Sequence, residues 1–126
     1  MEKRYLISGG GTGGHIFPAL AIANKIKAEN PDAKILFIGA DNKMEMQRVP
    51  EAGYPIEGLT IDGISRDFSW AGIKKNLKLP FVLLRAMRKA KSIIRSFQPD
   101  IAIGVGGFAS GPALKTADKL GVPTLL

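Results

Sequence analysis

Two glycine-rich turns are the part of this sequence with the clearest capacity for chemistry. The first, residues 8–15 (SGGGTGGH), has five glycines among eight residues, and the second, residues 104–112 (GVGGFASGP), has four. Glycine lets the backbone take positive φ and approach a ligand closely. Main-chain amides at a helix start, reinforced by the helix dipole, favour phosphate. Turn chemistry explains one such cluster more easily than two, so the pair predicts a site for a diphosphate.

The first turn also fits a dinucleotide fingerprint. Gly9, Gly11 and Gly14 satisfy G-x-G-x-x-G, the pattern of nicotinamide and flavin sites. The acidic residue expected after the second strand would be Asp41, which lies farther along than the usual ~20 residues. A dinucleotide-dependent oxidoreductase therefore stays an alternative at this point.

His15 is the single histidine of the chain and stands where the first helix is predicted to begin. An imidazole there could take a proton from an attacking hydroxyl, donate a hydrogen bond to phosphate, or simply bond to the backbone. No spacing of histidines and carboxylates suggests a metal site, and the absence of cysteine excludes thiolate sites and disulfides. We therefore predict no metal site, and a cofactor is expected only in the dinucleotide alternative.

The net charge of +7 is concentrated in one stretch, because no acidic residue occurs between Asp67 and Asp100. Eight of the 18 basic residues lie there, which leaves ten basic against eleven acidic residues elsewhere, a balance of −1. Aromatic, aliphatic and cationic side chains are mixed in this stretch, as suits an anionic membrane surface. The predicted membrane patch comprises Trp70, Ile73, Lys74, Lys75, Leu77, Lys78 and Arg85. Nucleic acid is a weaker prediction, since no stacking aromatics are interleaved in a groove-like pattern.

Alternating strands and helices must position these residues. Short apolar runs predict strands at 5–8, 34–38, 55–61, 100–104 and 122–126, and helices are predicted after the first turn and at 43–51, 81–97 and 112–120. Pro80 should divide the long helix from a shorter one before it. The predicted core stripe of the long helix is Leu83, Leu84, Met87, Ala90 and Ile94. This pattern indicates an α/β, Rossmann-like parallel sheet with helices on both faces, in one domain spanning 1–126.

Three segments resemble the MurG family of glycosyltransferases. They are GGGTGGHIFPALAIA near the start, GADNKMEMQRVPEAGY after the second strand and QPDIAIGVGGFASGPALKTADKLGVP near the end, and in this order the likeness covers essentially the whole chain. The resemblance implies a GT-B transferase with two Rossmann-like domains facing a cleft. This chain would be the first, acceptor-side domain, with the donor-binding domain absent. Because the sequence stops within a predicted core strand, we expect the natural chain to continue beyond Leu126.

The resemblance also implies substrates and roles. UDP-N-acetylglucosamine would be the donor and undecaprenyl-diphosphate-linked N-acetylmuramyl-pentapeptide (lipid I) the acceptor, with inversion, no metal, and a peripheral position on the cytoplasmic face of the bacterial cell membrane. His15 would be the catalytic base or a hydrogen-bond donor. The donor-side loop would be Thr12, Gly13 and Gly14, and the acceptor-diphosphate loop Gly11, Gly106, Gly107, Ser110 and Gly111. Glu45 matches the family's second segment but receives no role.

A different class of function also fits. The chain could be a membrane-bound acceptor-binding subunit that pairs with a separate donor-binding chain, as in split relatives of this fold. In either case we expect the 126 residues to be inactive alone, because half of the cleft would be missing.

Overall fold

Five parallel strands form one twisted sheet in the computed structural model, which describes residues 3–9, 13–41, 43–60, 79–106 and 110–125. The strands are β1 (Arg4–Ser8), β2 (Lys34–Ala40), β3 (Ile56–Leu59), β4 (Ile101–Gly104) and β5 (Thr124–Leu125). Their order across the sheet is β3-β2-β1-β4-β5, and each neighbouring pair is parallel. The Rossmann-like α/β prediction is confirmed. The strands end together at a carboxyl edge, marked by Ser8 and Gly104, and begin together at an amino edge, marked by Arg4 and Lys34.

Four described helices cover the two faces of the sheet: α1 (Gly13–Glu29), α2 (Glu45–Glu51), α3 (Leu79–Phe97) and α4 (Ser110–Lys119). One core cluster joins α1 and α2 to the face that carries Ile7 and Phe37, and the other joins α3 and α4 to the face that carries Leu6 and Ile38. Because both faces are covered, the strands are apolar along nearly their whole length, which is why the sequence predicted them well.

Pro80 lies in the first turn of α3, where a missing N–H leaves no helical hydrogen bond unmade. The long helix therefore begins at Leu79, two residues before the predicted start at 81. The shorter helix expected before it falls outside the described residues.

The predicted core stripe of α3 was partly wrong. Ala90 and Ile94 are buried as expected, but they are joined by Ala86, whereas Leu84 is 50% exposed. Positions 86, 90 and 94 follow each other at intervals of four along one helix face, and position 84 is about 200° away from 86 around the axis. Ala86 and Ala90 belong to the core cluster on this side of the helix, so Leu84, on the opposite side, points outward.

The end of α3 is fixed at the amino edge. Gln98, the residue after the helix, has a φ of 53°, the left-handed conformation that often terminates helices. The Arg4 guanidinium donates a hydrogen bond to the Phe97 carbonyl at 2.6 Å and lies over the Phe97 ring. Since 19 residues span ~28 Å, the first turns of α3 lie toward the carboxyl edge.

Candidate functional site

The two glycine-rich turns leave the sheet from neighbouring positions. β1 and β4 are adjacent parallel strands, and their last residues, Ser8 and Gly104, are register partners. The Val105 amide extends the ladder by donating to the Ser8 carbonyl at 2.8 Å. From here β1 connects toward β2 on one side, while β4 connects toward β5 on the other. Such a reversal of strand order opens a crevice at the carboxyl edge of an α/β sheet, where ligands bind.

Two helices begin at this crevice, one from each face of the sheet. α1 starts at Gly13 and packs through Ile16 and Ala19 on one core, while α4 starts at Ser110 and packs through Ala113 on the other. The first amides of each helix lack helical partners, and each helix N-terminus carries about half a positive elementary charge. The arrangement suits an anion with two phosphates better than a single helix start would.

Several predicted site residues have a described backbone in this crevice. Gly13, Gly14 and His15 form the first turn of α1, while Ser110 and Gly111 begin α4. Gly106 has a φ of 95°, so a residue with a β-carbon would be strained there. The predicted residues Gly11, Thr12 and Gly107 lie outside the described part of the chain.

Glu45 is a residue of this edge to which the sequence assigned no role. The residue is 2% exposed, and its Oε1 accepts a hydrogen bond from the Ala40 amide at 2.9 Å. The side chain lies over Gly39, where a β-carbon would collide with Glu45 Cγ. Glu45 thus fastens the start of α2 to the end of β2. An acidic residue in the first helical turn after a strand was the available signal, but only the fold shows that it is buried.

Asp41, the acidic residue that a dinucleotide site would use, faces away from the crevice. Its Oδ2 accepts a hydrogen bond from the Thr60 hydroxyl at 2.8 Å, and its amide donates to the Leu59 carbonyl. Its side chain lies over Gly58 of β3, on the far side of β2 from β1. This position disfavours Asp41 as the partner of a ribose bound at the first turn.

The exposed side of α3 carries apolar and cationic groups together. Phe81 and Leu84 lie about one helical turn apart and are 70% and 50% exposed. The predicted patch residue Arg85, which follows Leu84, is exposed as well. A groove of about 330 Å³ runs between α3 and α4, with Leu84, Met87 and Leu120 beside Arg88, Lys91 and Lys119. We call Phe81, Leu84, Arg85, Arg88 and Lys91 the α3 surface. The other predicted patch residues, Trp70, Ile73, Lys74, Lys75, Leu77 and Lys78, are outside the described ranges.

Within the residues that the structure describes, none of the helices is long and apolar enough to cross a bilayer. The same residues contain no cluster of three or more histidine, cysteine, aspartate or glutamate side chains that could hold a metal ion.

A comparison with protein families matches residues 5–126 to the glycosyltransferase family 28 N-terminal domain. Among curated proteins, the chain is 59% identical over 125 residues to the UDP-N-acetylglucosamine–N-acetylmuramyl-(pentapeptide) pyrophosphoryl-undecaprenol N-acetylglucosamine transferase of Bacteroides thetaiotaomicron. It is 51% identical over 125 residues to the protein of the same name from Porphyromonas gingivalis. Each match covers 99% of this chain but 32% of the relative, so the chain spans about a third of their length.

Solved structures of glycosyltransferases superpose on this chain. The crystal structure of Acinetobacter baumannii MurG superposes with a TM-score of 0.78 and 26% identity, covering 98% of this chain and 34% of that one. The glycosyltransferase SnogD of Streptomyces nogalater superposes with a TM-score of 0.70 at 20% identity, covering all of this chain and 34% of that one, which shows a shared fold.

Proposed function

This chain belongs to glycosyltransferase family 28, as its N-terminal domain, and we propose that the full-length protein transfers N-acetylglucosamine from UDP-N-acetylglucosamine to lipid I. The donor and acceptor are those in the printed names of the relatives that are 59% and 51% identical. The structural observation that carries the proposal is the crevice between β1 and β4, where two helices begin from opposite faces of the sheet. In this proposal the crevice takes the acceptor diphosphate, and a second domain takes most of the donor.

The proposed reaction is a direct displacement at the anomeric carbon. The acceptor 4-hydroxyl oxygen forms a bond to that carbon, the bond from the carbon to the diphosphate oxygen breaks with its electron pair leaving on UDP, and the configuration inverts. His15, in the first turn of α1, would receive the hydroxyl proton. Main-chain amides and helix N-termini would stabilise the charge on the leaving group. Thr12, Gly13 and Gly14 would lie beside the donor, and Gly11, Gly106, Gly107, Ser110 and Gly111 beside the acceptor diphosphate.

The α3 surface would hold the protein peripherally on the cytoplasmic face of the membrane. Phe81 and Leu84 would enter the interface, and Arg85, Arg88 and Lys91 would pair with anionic headgroups. The first turns of α3 lie toward the carboxyl edge, so the crevice would be close to the membrane surface. The acceptor diphosphate would then enter the crevice while its lipid tail stays in the bilayer.

The experiment that tests the function is a transfer assay on the full-length protein with labelled UDP-N-acetylglucosamine and lipid I. His15→Ala should lower kcat by about 10²- to 10⁴-fold, the usual contribution of a general base. Lys25→Ala, a change at an exposed position in the second half of α1, is the matched control and should leave kcat unchanged. A parent protein without transfer activity would overturn the proposal, and a fully active His15→Ala would remove only the catalytic role.

The two other hypotheses make different predictions in the same assay. A split acceptor-binding subunit would transfer sugar only when a second chain is added, whereas the relatives are single proteins about three times as long as this chain. An oxidoreductase would transfer no sugar in the assay and would bind a nicotinamide cofactor in place of lipid I. The family match together with the orientation of Asp41 favours the transferase.

A further inference from the structure

A second concave site lies at the amino edge of the sheet, away from the glycine-rich turns. It is a groove of about 570 Å³ between α3 and the starts of β1 and β2, and we call it the amino-edge groove. Its volume falls within the range of small-molecule sites. Because the strands separate it from the carboxyl edge, it does not belong to the proposed transfer site.

Two cations of the groove are brought together by strand pairing. Arg4 and Lys34 are register partners on β1 and β2, so their side chains stand next to each other on the same face of the sheet. Cations placed side by side in this way can both bond to one phosphate group. Lys89 of α3 adds a third cation from the opposite wall. The Arg4 guanidinium is held in place by the Phe97 carbonyl at 2.6 Å.

The rest of the lining is apolar at the floor and polar at the wall. Leu36, Ile93 and Phe97 form the floor, and each is partly buried against the core. Ser92 and Ser96 stand on the same face of α3 as Lys89, since positions three, four and seven apart align on a helix. Among the described residues that line the groove, Glu57 of β3 is acidic and stands beside the three cations.

We propose that the amino-edge groove binds a phosphate ester that carries an apolar group. The cations Arg4, Lys34 and Lys89 receive the phosphate, the serine hydroxyls donate hydrogen bonds to it, and the apolar group covers Leu36, Ile93 and Phe97. Two sources supply this chemistry: the headgroup region of an anionic phospholipid, or a soluble phosphorylated metabolite. The inference is independent of the transfer reaction, because its residues lie at the opposite edge of the sheet.

Phenyl phosphate is a suitable soluble probe, and its binding to the full-length protein can be measured by isothermal titration calorimetry. We expect Lys34→Ala/Lys89→Ala to weaken binding about tenfold or more, because two charge-assisted contacts are lost from exposed positions. Glu57→Gln should tighten binding, since it removes a negative charge from the described lining.

Matched controls lie on the other face of the sheet. Lys25→Ala/Lys27→Ala removes two exposed lysines from α1, and Glu51→Gln removes one exposed carboxylate from α2, so neither should change the affinity. Failure of phenyl phosphate to bind, or equal affinity in the Lys34→Ala/Lys89→Ala variant, would overturn the proposal. Weaker binding by Glu57→Gln would also contradict it.

A competition experiment separates the two sources. The groove takes a lipid headgroup if phenyl phosphate displaces the protein from phosphatidylglycerol vesicles and Lys34→Ala/Lys89→Ala lowers vesicle binding by the same amount. If neither phenyl phosphate nor the two substitutions change vesicle binding, the groove takes a soluble phosphate ester.

Discussion

At the scale of single residues, Glu45 is the clearest case of a charged side chain that supports the architecture. It is buried between α2 and β2, and it supplies the acceptor for the Ala40 amide at the carboxyl edge. A buried amide without an acceptor is costly, and so is the cavity that a truncated side chain leaves.

We therefore expect Glu45→Ala to lower the free energy of unfolding by about 2–4 kcal/mol, and Glu45→Gln to lower it less, because the amide oxygen can still accept from Ala40. Urea unfolding of the two variants measures the difference. Glu51→Ala, an exposed glutamate of the same helix, serves as the control and should change stability by less than about 0.5 kcal/mol. Equal losses in Glu45→Ala and Glu51→Ala would contradict the structural role.

Tyr54 gives a prediction for alkaline pH. Its hydroxyl donates to Asn24 Oδ1 at 2.6 Å, and burial raises the pKa of the phenol above its ordinary value of 10.0. Between the unfolded and folded pKa values the unfolded state binds fewer protons, so the free energy of unfolding falls as pH rises above 10.0. Below that pH the contribution is fully present. Tyr54→Phe should show a smaller loss between about pH 9 and about pH 11 in urea unfolding, and an unchanged loss would be evidence against this coupling.

At the scale of elements, the junction of β1 with the end of α3 sets how the long helix lies on the sheet. Arg4 reaches from the first residue of β1 to the last carbonyl of α3, and its guanidinium stacks 5.7 Å from the centre of the Phe97 ring. The Arg4 amide also donates to Asp100 Oδ2 at 2.8 Å, which ties the start of β4 to the same point.

We expect Arg4→Ala to lower the free energy of unfolding by about 1–3 kcal/mol, because a charge-assisted hydrogen bond and a cation–π contact are both lost. Arg4→Lys should recover only part of this loss, since an ammonium lacks the planar fork that both bonds and stacks. The comparison is with Arg48→Ala, whose exposed pair with Glu51 at 3.5 Å should matter little. If Arg4→Lys were as stable as the parent protein in urea, the planar geometry would be unimportant.

At the scale of the whole molecule, the two faces of the sheet differ in charge. α3 contains no acidic residue, whereas exposed cations on α1 and α2 pair with acidic neighbours, as in Lys25 with Glu29 and Arg48 with Glu51. A membrane would attract the α3 side more strongly and so orient the protein on its surface.

This asymmetry predicts that Arg85→Ala/Arg88→Ala/Lys91→Ala weakens binding to phosphatidylglycerol vesicles by up to about 10²-fold, at ~1 kcal/mol for each cation near the surface. The control variant Lys25→Ala/Lys27→Ala/Arg48→Ala removes the same charge from the opposite face and should bind almost normally. Sedimentation with vesicles at low and high salt measures both. Equal losses in the two variants would mean that net charge alone governs binding, with no oriented surface.

The sequence alone determined the local elements and the two glycine-rich turns. Apolar runs such as that of β2 are visible in a chain whose strands are buried on both faces, and glycine clusters mark the turns that follow β1 and β4. Only the tertiary structure decided that these turns leave adjacent strands, that Leu84 faces outward while Ala86 faces the core, and that Arg4 stands beside Lys34. The reason is that parallel strands pair residues far apart in the chain, 30 positions for Arg4 and Lys34 and 96 for Ser8 and Gly104, so neither pairing leaves a local signal.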